Sequence, residues 1–171
     1  VYRLEHNLIP VLGEQEYYGV RGIREEFMNL LTTTQAQVAD LQAQIYKLVG
    51  YEFNIDSGQQ KAKVLYEDLG CPVLKRFKTK KGGLKTDADT LKTLAGFKNE
   101  DGTPRFPVIP LIQKYTKLNT LIKNFYGKLP NLLHSGFFFP SYMHLGTETG
   151  RISRGRPNLQ QTEPSSRKYM V

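Results

Sequence analysis

Cysteine is nearly absent from this 171-residue sequence, and long apolar runs are absent altogether. The single cysteine, Cys71, excludes an intramolecular disulfide framework and a cysteine-cluster zinc site. No stretch of eighteen apolar residues is present to cross a membrane, and no basic and then apolar leader is visible. The 39% of hydrophobic residues excludes a disordered tail. We therefore expect a soluble, globular protein of a reducing compartment, with no membrane partner.

Methionine is missing from the first position, and turn residues are missing from the end of the sequence. The sequence begins at Val1 and stops at Val171 after the apolar pair Tyr169-Met170. We expect a fragment or a processed piece of a larger protein, with one domain and part of a second.

Positive charge is concentrated in the middle and the end of the sequence. The net charge is +8; residues 1–60 hold four basic and eight acidic side chains, residues 61–130 hold fifteen and six, and residues 131–171 hold five and two. A glycine-containing segment of twelve residues has six cations and no acid; the cations are Lys75, Arg76, Lys78, Lys80, Lys81 and Lys85. A mobile cationic loop is suited to phosphates. A solvated surface loop without a ligand is the open alternative.

Two apolar stripes predict two long helices. From Phe27 to Leu48 the apolar residues recur every three or four positions, and Gly50 follows them, which predicts a helix over residues 23–49. A second stripe runs from Val108 to Phe125 and ends near Gly127. We expect these helices to form an antiparallel arm with residues 50–106 as its tip. One stripe alone is also compatible with a dimerising coiled coil.

The tip and the last forty residues have different patterns. Ser57 predicts the N-cap of a helix to about Leu69, and Thr86 with Asp89 resembles a capping box that opens a helix to about Ala95. After Pro130 the aromatic and apolar runs predict strands, with a domain boundary near 131–135. The expected fold class is mainly α with a small β part.

One motif carries the functional information. Thr147-Glu148-Thr149-Gly150-Arg151-Ile152-Ser153 is followed by Pro157-Asn158-Leu159-Gln160. The pair closely resembles the T-x-T-G-R-[LI]-S…P-N-L-Q signature of family A DNA polymerases, the bacterial polymerase I type. Residues 5–20 resemble the same family's lead-in to its thumb domain. Residues 53–57 and 69–75 resemble its thumb-tip pattern.

The resemblance implies a domain organisation and a DNA-binding role. It divides the chain into a lead-in (1–22), a thumb (23–130) and an incomplete start of the palm (131–171). Base pairs of every sequence present acceptors in the minor groove, and an arginine fork suits them. By resemblance, Arg151 reaches the minor groove at the primer-terminal pair. The same resemblance gives DNA contacts to Thr149, Gly150, Ser153, Asn158 and Gln160.

The resemblance also implies what the sequence lacks. Two-metal nucleotidyl transfer needs clustered carboxylates, but residues 131–171 contain only Glu148 and Glu163. The family pattern places the first metal-binding aspartate beyond Val171. We therefore expect no catalytic and no metal-binding residue in this sequence. Mg²⁺ and dNTP would bind to the complete enzyme, and this chain alone would be inactive.

Departures from the family pattern bear on the source and on the role of the chain. Gln161-Thr162-Glu163 stands where the family has Asn-Ile-Pro, and Met170 replaces an aromatic residue. These differences favour a divergent, phage-type branch, and a cytoplasmic location in a bacterium or an infected host. The rest of the polymerase would be on the same chain or on a second polypeptide of a split enzyme. The alternatives are a non-catalytic nucleic-acid-binding module and a helical scaffold with an incidental Thr-Gly-Arg.

Overall fold

The computed structural model describes residues 2–78, 82–143, 147–148, 151–155, 159 and 163–170, without the side chains of residues 2–5, 154 and 165. The chain forms two compact units: unit 1 comprises residues 1–34 and 120–171, and unit 2 comprises residues 35–119. Within the described residues, no helix combines the length and the apolar character needed to cross a bilayer.

Helices make up most of the described structure. In chain order the elements are α1 (Tyr2–Tyr18), β1 (Val20–Arg21), α2 (Arg24–Val49), α3 (Gly58–Ala62), α4 (Ala88–Ala95), α5 (Val108–Leu121), α6 (Leu129–Leu132), β2 (Phe137–Phe138), β3 (Tyr142–Met143), β4 (Ser153–Arg154) and α7 (Pro164–Arg167). Two helices continue as π-helical segments, α3 into Lys63–Asp68 and α5 into Ile122–Tyr126, and a 3₁₀ turn covers Lys75–Phe77. The predicted class, mainly α with a small β part, is confirmed.

The two long helices occur where the apolar stripes predict them. Unit 2 is built on a buried cluster to which α2 contributes Leu41 and Ile45, and α5 contributes Ile109 and Ile112. The chain therefore enters unit 2 along α2 and leaves it along α5. The same stripe begins with Phe27, which is fully buried in a separate cluster of unit 1. One continuous stripe thus supplies two cores.

Helix caps in unit 2 follow local side-chain chemistry. The Ser57 hydroxyl accepts the backbone N–H of Gln60, as expected for the predicted N-cap. The predicted capping box at α4 is wrong, because Asp87 rather than Thr86 occupies the N-cap. Its carboxylate accepts the N–H of Thr90 at 2.9 Å from an extended backbone, and Asp89 falls inside the first turn.

A short sheet borders the core of unit 1. β1 pairs antiparallel with β2, with Val20 opposite Phe138. A tight turn precedes β2, where His134 pairs with Phe137. The two central residues of this turn, Ser135 and Gly136, have φ values of 50° and 84°, so both are left-handed. Phe138 is fully buried against Phe27, with ring centres 5.6 Å apart.

Gly22 allows the close packing at this sheet. A Cβ added there would lie 2.6 Å from the ring of Phe138 and 2.8 Å from Leu133.

The two units are defined by compactness. The division into lead-in (1–22), thumb (23–130) and palm (131–171) is a functional one and stays a prediction.

Candidate nucleic-acid interface

The segment that contains Arg151 folds as a β-hairpin in unit 1. β3 pairs antiparallel with β4, with Tyr142 opposite Arg154 and Met143 opposite Ser153. The Thr147 hydroxyl donates to the Arg151 carbonyl at 2.7 Å, which fixes the backbone just before β4. The Arg151 side chain is exposed. This arrangement presents a guanidinium to solvent on a hydrogen-bonded hairpin.

One further hydrogen bond closes the other end of the hairpin, and a second links the hairpin to α1. The N–H of Gly155 donates to the Ser141 carbonyl at 2.7 Å. A Cβ at Gly155 would lie 2.0 Å from the Ser141 hydroxyl oxygen and 3.4 Å from the Ser141 Cβ, so a larger residue there requires the Ser141 hydroxyl to move. The backbone N–H of Tyr142 also donates to the carboxylate of Glu16 in α1. The roles of Ser141, Gly155 and Glu16 are not visible in the sequence, because each depends on contacts between separate segments of the chain.

Ser153 is half-buried, and its hydroxyl donates to the Met143 carbonyl at 3.3 Å. In the described structure this side chain therefore supports the hairpin. Leu159 is buried in the core of unit 1 with Phe27 and Leu129, so the second half of the motif is anchored by its apolar residue. Four predicted contact residues of the motif lie outside the described residues; they are Thr149, Gly150, Asn158 and Gln160.

The basic segment of unit 2, residues 75–85, is anchored in the core by the side chain of Phe77. Phe77 is 1% exposed, whereas Lys75, Arg76 and Lys78 are exposed. The carbonyl of Phe77 accepts the N–H of Lys85 at 2.7 Å, which closes the segment into a loop. Lys80 and Lys81, at the predicted centre of the cationic loop, lie outside the described residues.

Arg76 is more constrained than the neighbouring lysines. One guanidinium nitrogen donates to the Thr93 hydroxyl at 3.2 Å, and the guanidinium carbon lies 5.6 Å from the centre of the Phe77 ring. Because these contacts already restrict the Arg76 side chain, it loses less conformational entropy when it binds a ligand.

Acidic groups share the cleft with Arg76. This cleft has a volume of about 240 Å³, and its lining includes Lys85, Asp87 and Asp89. Hydrogen bonds from Thr90, from its side chain and then from its N–H, lower the pKa of Asp87. Its carboxylate is therefore ionised at neutral pH and offsets part of the positive charge, although the linear sequence around Arg76 has no acid.

The Arg151 hairpin lies in unit 1, whereas the basic segment lies in unit 2. Among the described residues, no three His, Cys, Asp or Glu side chains come together as a group that could hold a metal ion. Glu148 is exposed, and the Glu163 carboxylate accepts a hydrogen bond from Tyr126. The described part of the chain thus does not fit a Mg²⁺ site.

Comparison with known proteins establishes the family. The model of DNA polymerase family A matches residues 24–169, and the chain belongs to this family. The resemblance found in the sequence is therefore confirmed.

Several curated relatives are bacterial polymerases named DNA polymerase I. The chain is 33% identical over 159 residues to the protein of Caldicellulosiruptor bescii, covering 92% of this chain and 17% of that protein. For the protein of Chloroflexus aurantiacus the identity is 36% over 164 residues, with coverage of 93% and 16%. For the thermostable enzyme of Thermus aquaticus it is 32% over 165 residues, with coverage of 94% and 18%. The chain spans about one sixth of the length of these relatives.

A solved structure has a similar fold. It is the POL domain of Pol1 from M. smegmatis in complex with DNA primer-template and dNTP. The TM-score is 0.74 at 26% identity, and the match covers 96% of this chain and 28% of that chain.

Proposed function

We propose that this chain is the thumb and the first part of the palm of a DNA-directed DNA polymerase, and that it grips primer-template duplex. Membership of family A and the DNA-bound state of the similar M. smegmatis domain support this proposal. The observation that carries it is the exposure of Arg151 on the β3–β4 hairpin, within the motif that resembles the family signature.

The basic segment of unit 2 would bind the duplex through phosphate. Lys75, Arg76 and Lys78 are exposed around the buried Phe77, so their charges are accessible to a polyanion. Contacts to phosphate do not depend on base sequence, which suits an enzyme that must hold any template. Lys80, Lys81 and Lys85 would add to the same surface.

The Arg151 hairpin would bind the primer end through the minor groove. A guanidinium there donates to acceptors that occur on every correct pair, and a mispair displaces them. Thr149, Gly150, Ser153, Asn158 and Gln160 would complete this contact. In the complete enzyme, the remaining palm and the fingers would bind dNTP and Mg²⁺, on the same chain or on a second polypeptide. We place the enzyme in the cytoplasm of a bacterium or a phage-infected cell, as a phage-type branch of the family.

Fluorescence anisotropy with a labelled primer-template tests whether the chain binds duplex DNA. The 171-residue chain should bind weakly, with an affinity that falls steeply as salt rises. Binding that is absent, or that does not respond to salt, would contradict the proposal.

A primer-extension assay with Mg²⁺ and dNTP tests whether this chain alone can add nucleotides. The chain alone should add no nucleotide, because its described residues bring together no carboxylate cluster. Any extension that copurifies with the chain at constant specific activity would show that this expectation is wrong.

A further inference from the structure

Tyr66 connects the core of unit 2 to one end of the basic segment. It is the fourth residue of the π-helical segment Lys63–Asp68, and its side chain packs against the buried cluster of this unit. Its hydroxyl donates to the backbone carbonyl of Lys85 at 2.8 Å, across 19 residues of sequence. The preceding residues Val64 and Leu65 are buried, so the segment that carries Tyr66 is part of the core. The bond therefore ties the end of the basic segment to a buried helix.

Both backbone polar groups of Lys85 are paired. Its N–H donates to the carbonyl of Phe77 at 2.7 Å, and its carbonyl accepts from Tyr66. One residue further into the segment on each side, Lys78 pairs antiparallel with Leu84. Because Phe77 is itself buried, the backbone opposite Lys85 is also anchored. Lys78 and Lys85 thus stand on paired backbone that the Tyr66 hydroxyl joins to the core.

The Tyr66 hydroxyl keeps its proton at neutral pH. Desolvation by burial, and then the charges of Cys71 and Asp87, raise the pKa of Tyr66 to about 12. The hydroxyl is therefore a hydrogen-bond donor under the conditions of DNA binding. Tyr66→Phe removes this one donor and keeps the ring, so it isolates the bond to Lys85 from the packing of the core.

We propose that Tyr66 is a positioning residue for phosphate contact, and that its bond to the Lys85 carbonyl holds Lys78 and Lys85 in place for the DNA backbone. This inference rests on the proposed function. Lys78 is exposed and Lys85 is half-buried, so both have surface that a polyanion can contact. A cation on a fixed backbone loses less conformational entropy on binding than one on a free loop. The bond should therefore raise the affinity for duplex although Tyr66 itself does not touch DNA.

A double-mutant cycle in the 171-residue chain tests this role. Anisotropy with a labelled duplex measures the effect of Tyr66→Phe in the wild type and in the Lys78→Ala/Lys85→Ala background. In the wild type, Tyr66→Phe should weaken binding by roughly three- to tenfold, the usual range for one hydrogen bond. In the background without the two lysines it should have no effect, because the bond acts only through them. An equal loss in both backgrounds would show a merely structural bond and overturn the inference.

Tyr46→Phe is the matched control for the loss of a buried hydroxyl. Tyr46 also packs against the core of unit 2, and its hydroxyl donates to the carbonyl of Phe53 at 2.8 Å, outside the basic segment. This variant removes the same kind of bond and should leave the affinity for duplex unchanged. If it weakened binding as much as Tyr66→Phe, a general loosening of the core would be the cause, and the inference would be wrong.

Amide hydrogen exchange without DNA separates this inference from the proposed function. Tyr66→Phe should speed the exchange of the Lys85 N–H by roughly three- to tenfold, because its pairing with Phe77 then opens more often. Tyr46→Phe should not change this rate. An unchanged rate in Tyr66→Phe would overturn the inference and leave the proposed grip on duplex intact. A wild-type chain that binds no duplex would overturn the proposed function, and the inference with it.

Discussion

At the scale of single residues, Gly22 sets the packing of unit 1. An added Cβ would press on the buried ring of Phe138 and on Leu133, at 2.6 and 2.8 Å. Because both neighbours are core side chains, they have little room to move. We expect Gly22→Ala to lower the free energy of unfolding by about 1–3 kcal/mol, the usual cost of overpacking. Urea denaturation followed by circular dichroism measures it.

Gly13 provides the matched control for this substitution. It lies within α1, and a Cβ there would meet no heavy atom of the described residues within 4 Å. Gly13→Ala should therefore stabilise the helix by about 0.5–1 kcal/mol. If the two substitutions had equal effects, the close packing at Gly22 would not be the cause.

Cys71 illustrates how burial determines reactivity. It is 4% exposed within the core of unit 2, and desolvation raises the pKa of its thiol to about 11, with the charge of Arg105 opposing the shift. The thiolate is the reactive form, so this residue is inert at neutral pH. Its environment is therefore that of a small buried core residue rather than of a reactive thiol.

At the scale of elements, α4 offers a test of which residue caps it. Asp87→Ala should destabilise unit 2 by about 1 kcal/mol, because the N–H of Thr90 loses its acceptor. Asp87→Asn keeps an oxygen acceptor and should cost less. Thermal unfolding in the two variants and in Thr86→Ala measures the difference. A larger effect of Thr86→Ala would restore the capping box that the sequence predicted.

The same cap has a defined pH dependence. Hydrogen bonds from Thr90 lower the pKa of Asp87 in the folded chain. A group with a lowered pKa stabilises the fold above its unfolded value, about 3.9 for aspartate, and this contribution is lost as the pH falls through the folded value. The difference in stability between the wild type and Asp87→Asn should therefore shrink on acidification below about pH 4.

Sequence patterns predict a helix well where apolar residues recur every three or four positions over several turns. The stripe that begins at Phe27 fixed α2 to within a residue at each end, and Ser57 was recognised as a cap because its bonds are local. The π-helical segment Ile122–Tyr126 was not predicted, because its extra residue per turn has no apolar signature.

The candidate site was predictable in part for the same reason. A motif read along the chain singles out Arg151, which is exposed in the structure. Its contact with the minor groove stays a prediction. Pairing between distant segments was not visible in the sequence. The bond between Tyr126 and Glu163 spans 37 residues, and the contact of Glu16 with Tyr142 spans 126. Asp87 and Asp89 also come close to Arg76 only in the folded cleft.

At the scale of the whole molecule, the two proposed kinds of DNA contact, to phosphate and to base edges, should respond differently to salt. The net charge is +8, and residues 61–130 hold fifteen basic against six acidic side chains, whereas residues 1–60 are net acidic. A phosphate contact releases counterions, so each one lost should reduce the slope of log affinity against log salt by about 0.9. A contact to base edges changes affinity with little effect on that slope.

Two variants separate these contacts, and a third controls for charge alone. Lys75→Ala/Lys78→Ala should flatten the salt slope by up to about 1.8 for two phosphates, because both side chains are exposed on the basic segment. Arg151→Ala should weaken binding to a primer end with the slope unchanged. Lys47→Ala removes an exposed cation of α2 in the same unit and should do neither. If Lys47→Ala flattened the slope as much per charge, binding would depend on net charge, and the assignment of the basic segment to phosphate would be wrong.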